Sequence, residues 1–139
     1  MKLKFRCLRD GPYAIVQLAP EATVPEWVSK GEFTSISRTA DELSIVCPVN
    51  HLPPGVDTDH HWICLKLEGP FPFSMTGVLL SFIEPLSSRG IPIFAISTYD
   101  TDYVLIPEEF MGAALSILDE AGHELWPRDE SWRKFLPSE

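Results

Sequence analysis

The stretch that decides the fold is WICLKLEGPFPFSMTGVLLSFIEPLSSRGIPIFAISTYDTDYVLIPEEFMGAALSILDEAGHELW, Trp62 to Trp126. Trp62 to Glu68 alternates, with Ile63, Leu65 and Leu67 on one face, which predicts a strand. Gly69-Pro70-Phe71-Pro72 breaks it. From Ser74 to Arg89, residues Met75, Val78, Leu79, Phe82, Ile83 and Leu86 fall in one helical stripe. Ser74 is the expected N-cap, and Gly90 stands where a helix-closing glycine belongs. Pro85 lacks an amide and should kink the last turn or end the helix early. Residues 91–98 and 103–106 are β-rich runs around Tyr99-Asp100-Thr101-Asp102, the pattern of a hairpin with an acidic turn. Pro107 is expected at the first position of a second helix, followed by Glu108 and Glu109, whose charge suits the dipole. Phe110, Ala114, Ile117, Leu118 and Ala121 form that helix's stripe, Gly122 ends it, and Leu125-Trp126 gives a short last strand.

This order, β-α-β-β-α-β, is the ferredoxin-like unit of the α+β class. The first half repeats part of it. Tyr13–Leu18 reads as a strand and Pro25–Lys30 as a short helix closed by Gly31. Phe33–Thr39 and Leu43–Cys47 read as a hairpin across Ala40-Asp41-Glu42. ISRTADELSIVCP (36–48) aligns with ISTYDTDYVLIP (96–107) at an offset of 60 with one deletion, which reads as an internal duplication. Where the second copy has its Pro-Glu-Glu helix, the first has residues 49–61, rich in Pro, Gly, Asp and His. The expected organisation is therefore an incomplete module over residues 1–58 and a complete one over 59–139. Half a unit buries too little surface to stand alone, so the two are expected to share one mainly antiparallel sheet with helices on one face. A strand from Leu3 to Arg9 should pair with an edge.

One ordinary domain's worth of chain, 139 residues, is 45% hydrophobic and 22% charged, which excludes wholesale disorder. A net charge of −9 argues against nucleic acid as the partner, because phosphate backbones are gripped by clustered Lys and Arg. No apolar run approaches the roughly 20 residues needed to span a bilayer. The N-terminus MKLKFRCLRDG returns to charge before a signal-peptide core could form, so a cytoplasmic location is expected. Cys7, Cys47 and Cys64, odd in number and each in an apolar run, read as small buried thiols.

Signatures of catalysis are missing: there is no phosphate-binding glycine loop, nucleophile elbow, H-E-x-x-H or C-x-x-C. Asp57, Asp59, His60 and His61, with His51 nearby, carry the right ligand types for zinc. Adjacent histidines on extended chain point to opposite sides, however, so they read as a solvated loop and no metal is expected. His123 follows a helix-ending glycine and reads as an imidazolium at the negative end of the dipole. Gly69–Gly77 is more informative. It carries a strand through a proline-stiffened loop into a helix N-terminus, whose unsatisfied amides suit a carboxylate. Gly77 would allow a ligand or a neighbouring backbone to come close, or would merely pack against the sheet. Ser97–Asp102 supplies the opposite polarity, with Asp100 or Asp102 for an ammonium group.

These residues resemble the ACT-domain superfamily, and within it the small tandem proteins related to the ACT regions of aspartokinases and to the CASTOR-type arginine sensors. The resemblance is carried by FSMTG at the helix start, ISTYDTDYVLIP at the hairpin and the PEE helix, and more weakly by ISRTADELSIVCP. It implies a regulatory, amino-acid-binding module without catalysis or cofactor, built from ACT units that pair side by side, here as a homodimer. Carried over, Ser74, Met75, Thr76 and Gly77 would meet the ligand carboxylate, and Thr98, Tyr99, Asp100 and Asp102 would line the other wall. Asp41 and Glu42 match in the first module, which lacks an FSMTG. The expected ligand is a free amino acid or similar zwitterion. The competing expectation is a ligand-independent interaction module that regulates a partner enzyme, suggested by the acidic second half.

Overall fold

The computed structural model describes residues 1–29, 31–56, 58, 60–72 and 74–126. Among the described residues, eight strands, mainly antiparallel, and two α-helices give an α+β fold. The strands are β1 (Lys4–Cys7), β2 (Tyr13–Leu18), β3 (Ser35–Arg38), β4 (Leu43–Pro48), β5 (Trp62–Leu67), β6 (Phe94–Ser97), β7 (Asp102–Pro107) and β8 (Glu124–Leu125). The helices are α1 (Val78–Ser87) and α2 (Met111–Glu120), and 3-10 turns cover Val49–His51 and Glu108–Phe110. The chain divides into two compact units: residues 1–7 with the segment from Cys64 onward, and Leu8–Ile63.

In the first unit, β5-α1-β6-β7-α2-β8 is the expected βαββαβ series, with strands in the order β6-β7-β5-β1-β8. The N-terminal strand is not at an edge. It lies inside the sheet, antiparallel to β5 (Phe5↔Leu67) and parallel to β8 (Phe5↔Leu125). A strand's partners are a long-range property that its local pattern does not carry. Phe5 meets Phe82 of α1 edge-on, ring centroids 5.2 Å apart, and both are fully buried. Leu65, Leu67, Leu86, Leu105, Met111 and Leu118 complete this core.

α1 starts at Val78, later than Ser74, and its N-cap is Gly77 with φ 78° and ψ 4° and no side-chain cap. The apolar stripe runs on through Met75, but a left-handed residue interrupts the helical backbone, so Ser74 cannot be the cap. Pro107 is still extended (φ −55°, ψ 137°) and precedes the 3-10 turn, so it is not the first residue of α2. Both helices end as expected. Gly90 and Gly122 have positive φ, and Ile91 N–H and His123 N–H reach back to the carbonyls of Leu86 and Leu118 at 3.1 and 2.9 Å.

In the second unit, β2 pairs with β4 along its whole length and β4 with β3. Leu43, Ile45 and Cys47 form a buried cluster against which Leu18, Ala22, Trp27, Val28 and Leu52 pack. The expected Pro25–Lys30 helix is absent over its described residues, which make one turn (Val28 N–H to Pro25 O, 3.1 Å). So short a segment cannot offset the cost of helix nucleation, and burial of Trp27 and Val28 decides its path. Lys30 lies outside the described residues. Tyr13 is fully buried; its hydroxyl donates to Asp10 Oδ1 at 2.5 Å and accepts from Phe33 N–H at 3.2 Å.

The two hairpins can be compared ladder by ladder. Ser35↔Val46 to Arg38↔Leu43 corresponds to Phe94↔Leu105 to Ser97↔Asp102, a constant separation of 59 residues with no deletion. The shared Ile-Ser pairs, Ile36-Ser37 and Ile96-Ser97, are thus out of register by one. A one-residue slip exchanges the faces of a strand, so their identity is not structural equivalence. Thr39/Thr98, Asp41/Asp100 and Pro48/Pro107 are the equivalent pairs.

Candidate functional site

The loop after β5 and the turn between β6 and β7 are stitched together. The Thr101 hydroxyl donates to the Leu67 carbonyl at 2.8 Å, and Phe71 N–H donates to the Asp100 carbonyl at 3.0 Å. Thr101 is buried, so its hydroxyl could not be left in place without such a partner. Gly69 makes the approach feasible, since a Cβ there would stand 3.1 Å from the Asp100 carbonyl oxygen. Neither Thr101 nor Gly69 stood out as a site residue in the sequence; the tertiary hydrogen bonds that single them out leave no local pattern.

The turn itself is Thr98–Thr101, one residue earlier than expected, and Asp102 is the first residue of β7. Thr98 N–H donates to Thr101 O at 2.8 Å, and the Thr98 hydroxyl donates to the same oxygen at 3.0 Å. Asp102 is half-buried, and its Oδ1 accepts from the Ser97 hydroxyl. Asp100 and Thr98 are exposed, and Tyr99 is 80% exposed. Of the two acids, Asp102 has a role in closing the hairpin and Asp100 faces water.

On the loop side, Met75 N–H bonds Pro72 O at 2.9 Å, and Ser74, Met75, Thr76 and Gly77 are all exposed. Among the described residues, no atom beyond Gly77 and its chain neighbours lies within 4 Å of where a Cβ would sit on Gly77. Its requirement is the left-handed backbone that starts α1; close packing against a neighbour is not the reason. The hydrogen bonds bring Leu67 to Phe71 against the turn, while Ser74–Gly77 lie beyond that junction on the way into α1. Phe73 lies outside the described residues. The first helical amides, with no side-chain cap, carry the partial positive charge of the helix start.

Of the histidines, His60 packs edge-on against Trp62 at 6.4 Å. Among the described residues no group of three or more His, Cys, Asp or Glu is arranged to hold a metal ion; Asp57 and Asp59 lie outside them. His123 is buried and is not an imidazolium. Its Nδ1 accepts from Leu3 N–H at 3.1 Å, which requires a lone pair, and its Nε2–H donates to Ser81 O at 2.8 Å. Cys47 and Cys64 are buried and Cys7 is half-buried, none of them in a disulfide; burial pushes the Cys47 thiol up, away from the reactive thiolate.

Known proteins resemble this chain over most of its length. The ACT domain family profile matches residues 57–120, which takes in β5 through α2. Over that segment the chain is similar to the ACT-domain family. A second profile, describing an N-terminal domain, matches residues 11–55. The human (Homo sapiens) protein CASTOR3P is 30% identical over 88 residues, 54% of this chain and 54% of that protein, so the match spans about half the length of that relative. Among solved structures, Atu0741 from Agrobacterium tumefaciens is 41% identical with a TM-score of 0.85, covering 94% of this chain and 96% of that one. VC0802 from Vibrio cholerae (18% identity, TM-score 0.69, 87% and 91% covered) shares the fold. So does a structure of aspartokinase alpha and beta subunits (17%, TM-score 0.55, 87% and 97% covered). ACT domains are regulatory units that commonly take small ligands such as amino acids. No helix among the described residues is long and apolar enough to cross a membrane.

Proposed function

We propose that this chain is a regulatory protein of the cytoplasm that binds a free amino acid or a similar zwitterion, works as a homodimer, and catalyses nothing itself. The observation that carries this reading is the junction between the strand-to-helix loop and the acidic turn. The hydrogen bonds from Thr101 to Leu67 and from Phe71 to Asp100 tie the backbone of the acidic turn to the start of the loop that leads to α1, and the Asp100 side chain on that turn is exposed. Asp100 then receives the ammonium group, with Thr98 as a neutral hydrogen-bonding neighbour. Ser74, Thr76 and the first amides of α1 receive the carboxylate, and Tyr99 and Met75 border the ligand's side chain. Because both charges are met by exposed groups, binding is expected to weaken with salt.

The test is a calorimetric and thermal-shift screen of the twenty amino acids against the full chain and Asp100→Ala. One or a few should raise the unfolding midpoint, by a stabilisation of about 2.7 kcal/mol at a hundredfold excess over Kd. The variant should lose the effect while keeping its own midpoint. Silence from all twenty with the unaltered chain contradicts the reading. The 80% exposure of Tyr99 favours a second reading, an interaction module that docks a partner enzyme without ligand, since exposed aromatics anchor interfaces. Ligand-independent capture of one stable partner, lost in Tyr99→Ala, would select it.

A further inference from the structure

Pro85 lies inside α1 and has no amide to give the carbonyl of Ser81, one helical turn earlier. That carbonyl is not orphaned, because the Nε2–H of His123 donates to it at 2.8 Å. The other ring nitrogen, Nδ1, accepts Leu3 N–H at 3.1 Å from the residue that leads into β1. His123 is 3% exposed, and its ring also packs on Phe82, 5.3 Å between centroids. One imidazole therefore joins the N-terminal segment, the proline-interrupted helix and the end of α2. It does so only as the neutral Nε2–H tautomer. Leu3 is held further through its own carbonyl, which accepts Glu124 N–H at 2.8 Å.

From this we propose that His123 is an acid-sensitive latch on the N-terminal strand. A proton taken up from solvent at Nδ1 leaves the ring with two donors, one of them facing the Leu3 amide. The Leu3 bond breaks, and the positive ring stays buried against Phe82 unless the N-terminal segment moves away. Histidine is the side chain that ordinarily changes charge in the pH range of cells. The charged groups on the elements around the ring are Lys2, Lys4 and Arg6 on the N-terminal segment, Glu84 and Arg89 on and after α1, and Asp119, Glu120 and Glu124 near the end of α2. Arg6 is paired with Glu68 and Arg89 with Glu120. Apart from half-buried Arg6, all of these are exposed, and none replaces the neutral ring as acceptor for Leu3. The latch does not depend on the ligand reading above.

The experiment compares the full chain with His123→Gln, whose amide can keep a donor and an acceptor without titrating. Thermal midpoints at pH 7.5 and 5.5 should fall by roughly 3–6 °C more in the unaltered chain than in the variant. Amide exchange should show protection at Leu3 lost at pH 5.5 in the unaltered chain and kept in His123→Gln. Equal slopes, or unchanged Leu3 protection, overturn the proposal. Should the variant fail to fold, ¹⁵N shifts of the His123 ring decide. An Nε2–H tautomer at pH 7.5 that gains a proton as Leu3 protection falls supports the latch; an Nδ1–H tautomer, or titration with Leu3 still protected, overturns it.

Discussion

The hairpins β3–β4 and β6–β7 are built alike and continue differently. Both have four-residue turns closed by a threonine, Thr39 N–H to Glu42 O at 2.9 Å and Thr98 N–H to Thr101 O at 2.8 Å. Both end in a proline of nearly the same conformation, Pro48 at φ −57°, ψ 140° and Pro107 at φ −55°, ψ 137°, followed by a 3-10 turn. After Glu108–Phe110, Met111 is helical and α2 grows; after Val49–His51, Leu52 is extended (φ −70°, ψ 133°) and the helix never starts. Leu52 precedes Pro53, and the residue before a proline is pushed out of the helical region. One local rule at one residue is enough to stop a helix after the first hairpin, in a unit that has no α-helix among its described residues. The turns differ as well. Thr101 ties its hairpin to Leu67, whereas Glu42, its equivalent, bonds within its own turn, its amide donating to Thr39 Oγ1 at 3.2 Å.

The largest effect should come from breaking the helix that distinguishes the second hairpin. Ser116→Pro, at an exposed position inside α2, is expected to cost about 3 kcal/mol or more in urea unfolding. Removing the tie should come next. Thr101→Val leaves the buried Leu67 carbonyl without its donor and is expected to cost about 1–3 kcal/mol, against 0.5 kcal/mol or less in order of magnitude for Glu42→Val. Equal costs at the two positions would contradict the difference drawn between the turns. Gly77→Ala forces a Cβ into a left-handed backbone with open space around it, so about 1–2 kcal/mol of strain should appear without any clash. The smallest change is Arg89→Ala. Its ion pair with Glu120 (2.8 Å) is more than half exposed, so the expected loss is about 0–1 kcal/mol, further reduced by salt.

Much of this architecture is legible in the chain because it rests on local periodicity. The strand Tyr13–Leu18, the alternation after Trp62, the two helix-closing glycines and the βαββαβ order all follow from spacing. What was hidden depends on distant partners or on backbone state. The stripe through Met75 conceals the left-handed Gly77, and Pro25-Glu-Trp-Val-Ser imitates a helix too short to form. Ile-Ser repeated in both hairpins suggests a register that the ladders do not have. His123 looked like a helix-end cation because its partners, Leu3 and Ser81, are far away in sequence. Pro85 carried the missing signal, since a carbonyl deprived of its helical donor inside a core must find another. At the candidate site, residue types were readable, but the separate duties of Asp100 and Asp102 emerged only from the Ser97 hydrogen bond.

The central claim is that the second hairpin, joined to the loop before α1, forms a ligand site while its counterpart does not. Backbone amide NMR of the full chain titrated with the twenty amino acids tests this most directly. The account predicts shifts for one or a few of them at Ser74–Val78 and Thr98–Asp102, with Thr39–Glu42 unmoved. No shift with any amino acid, or equal shifts at both turns, would contradict it.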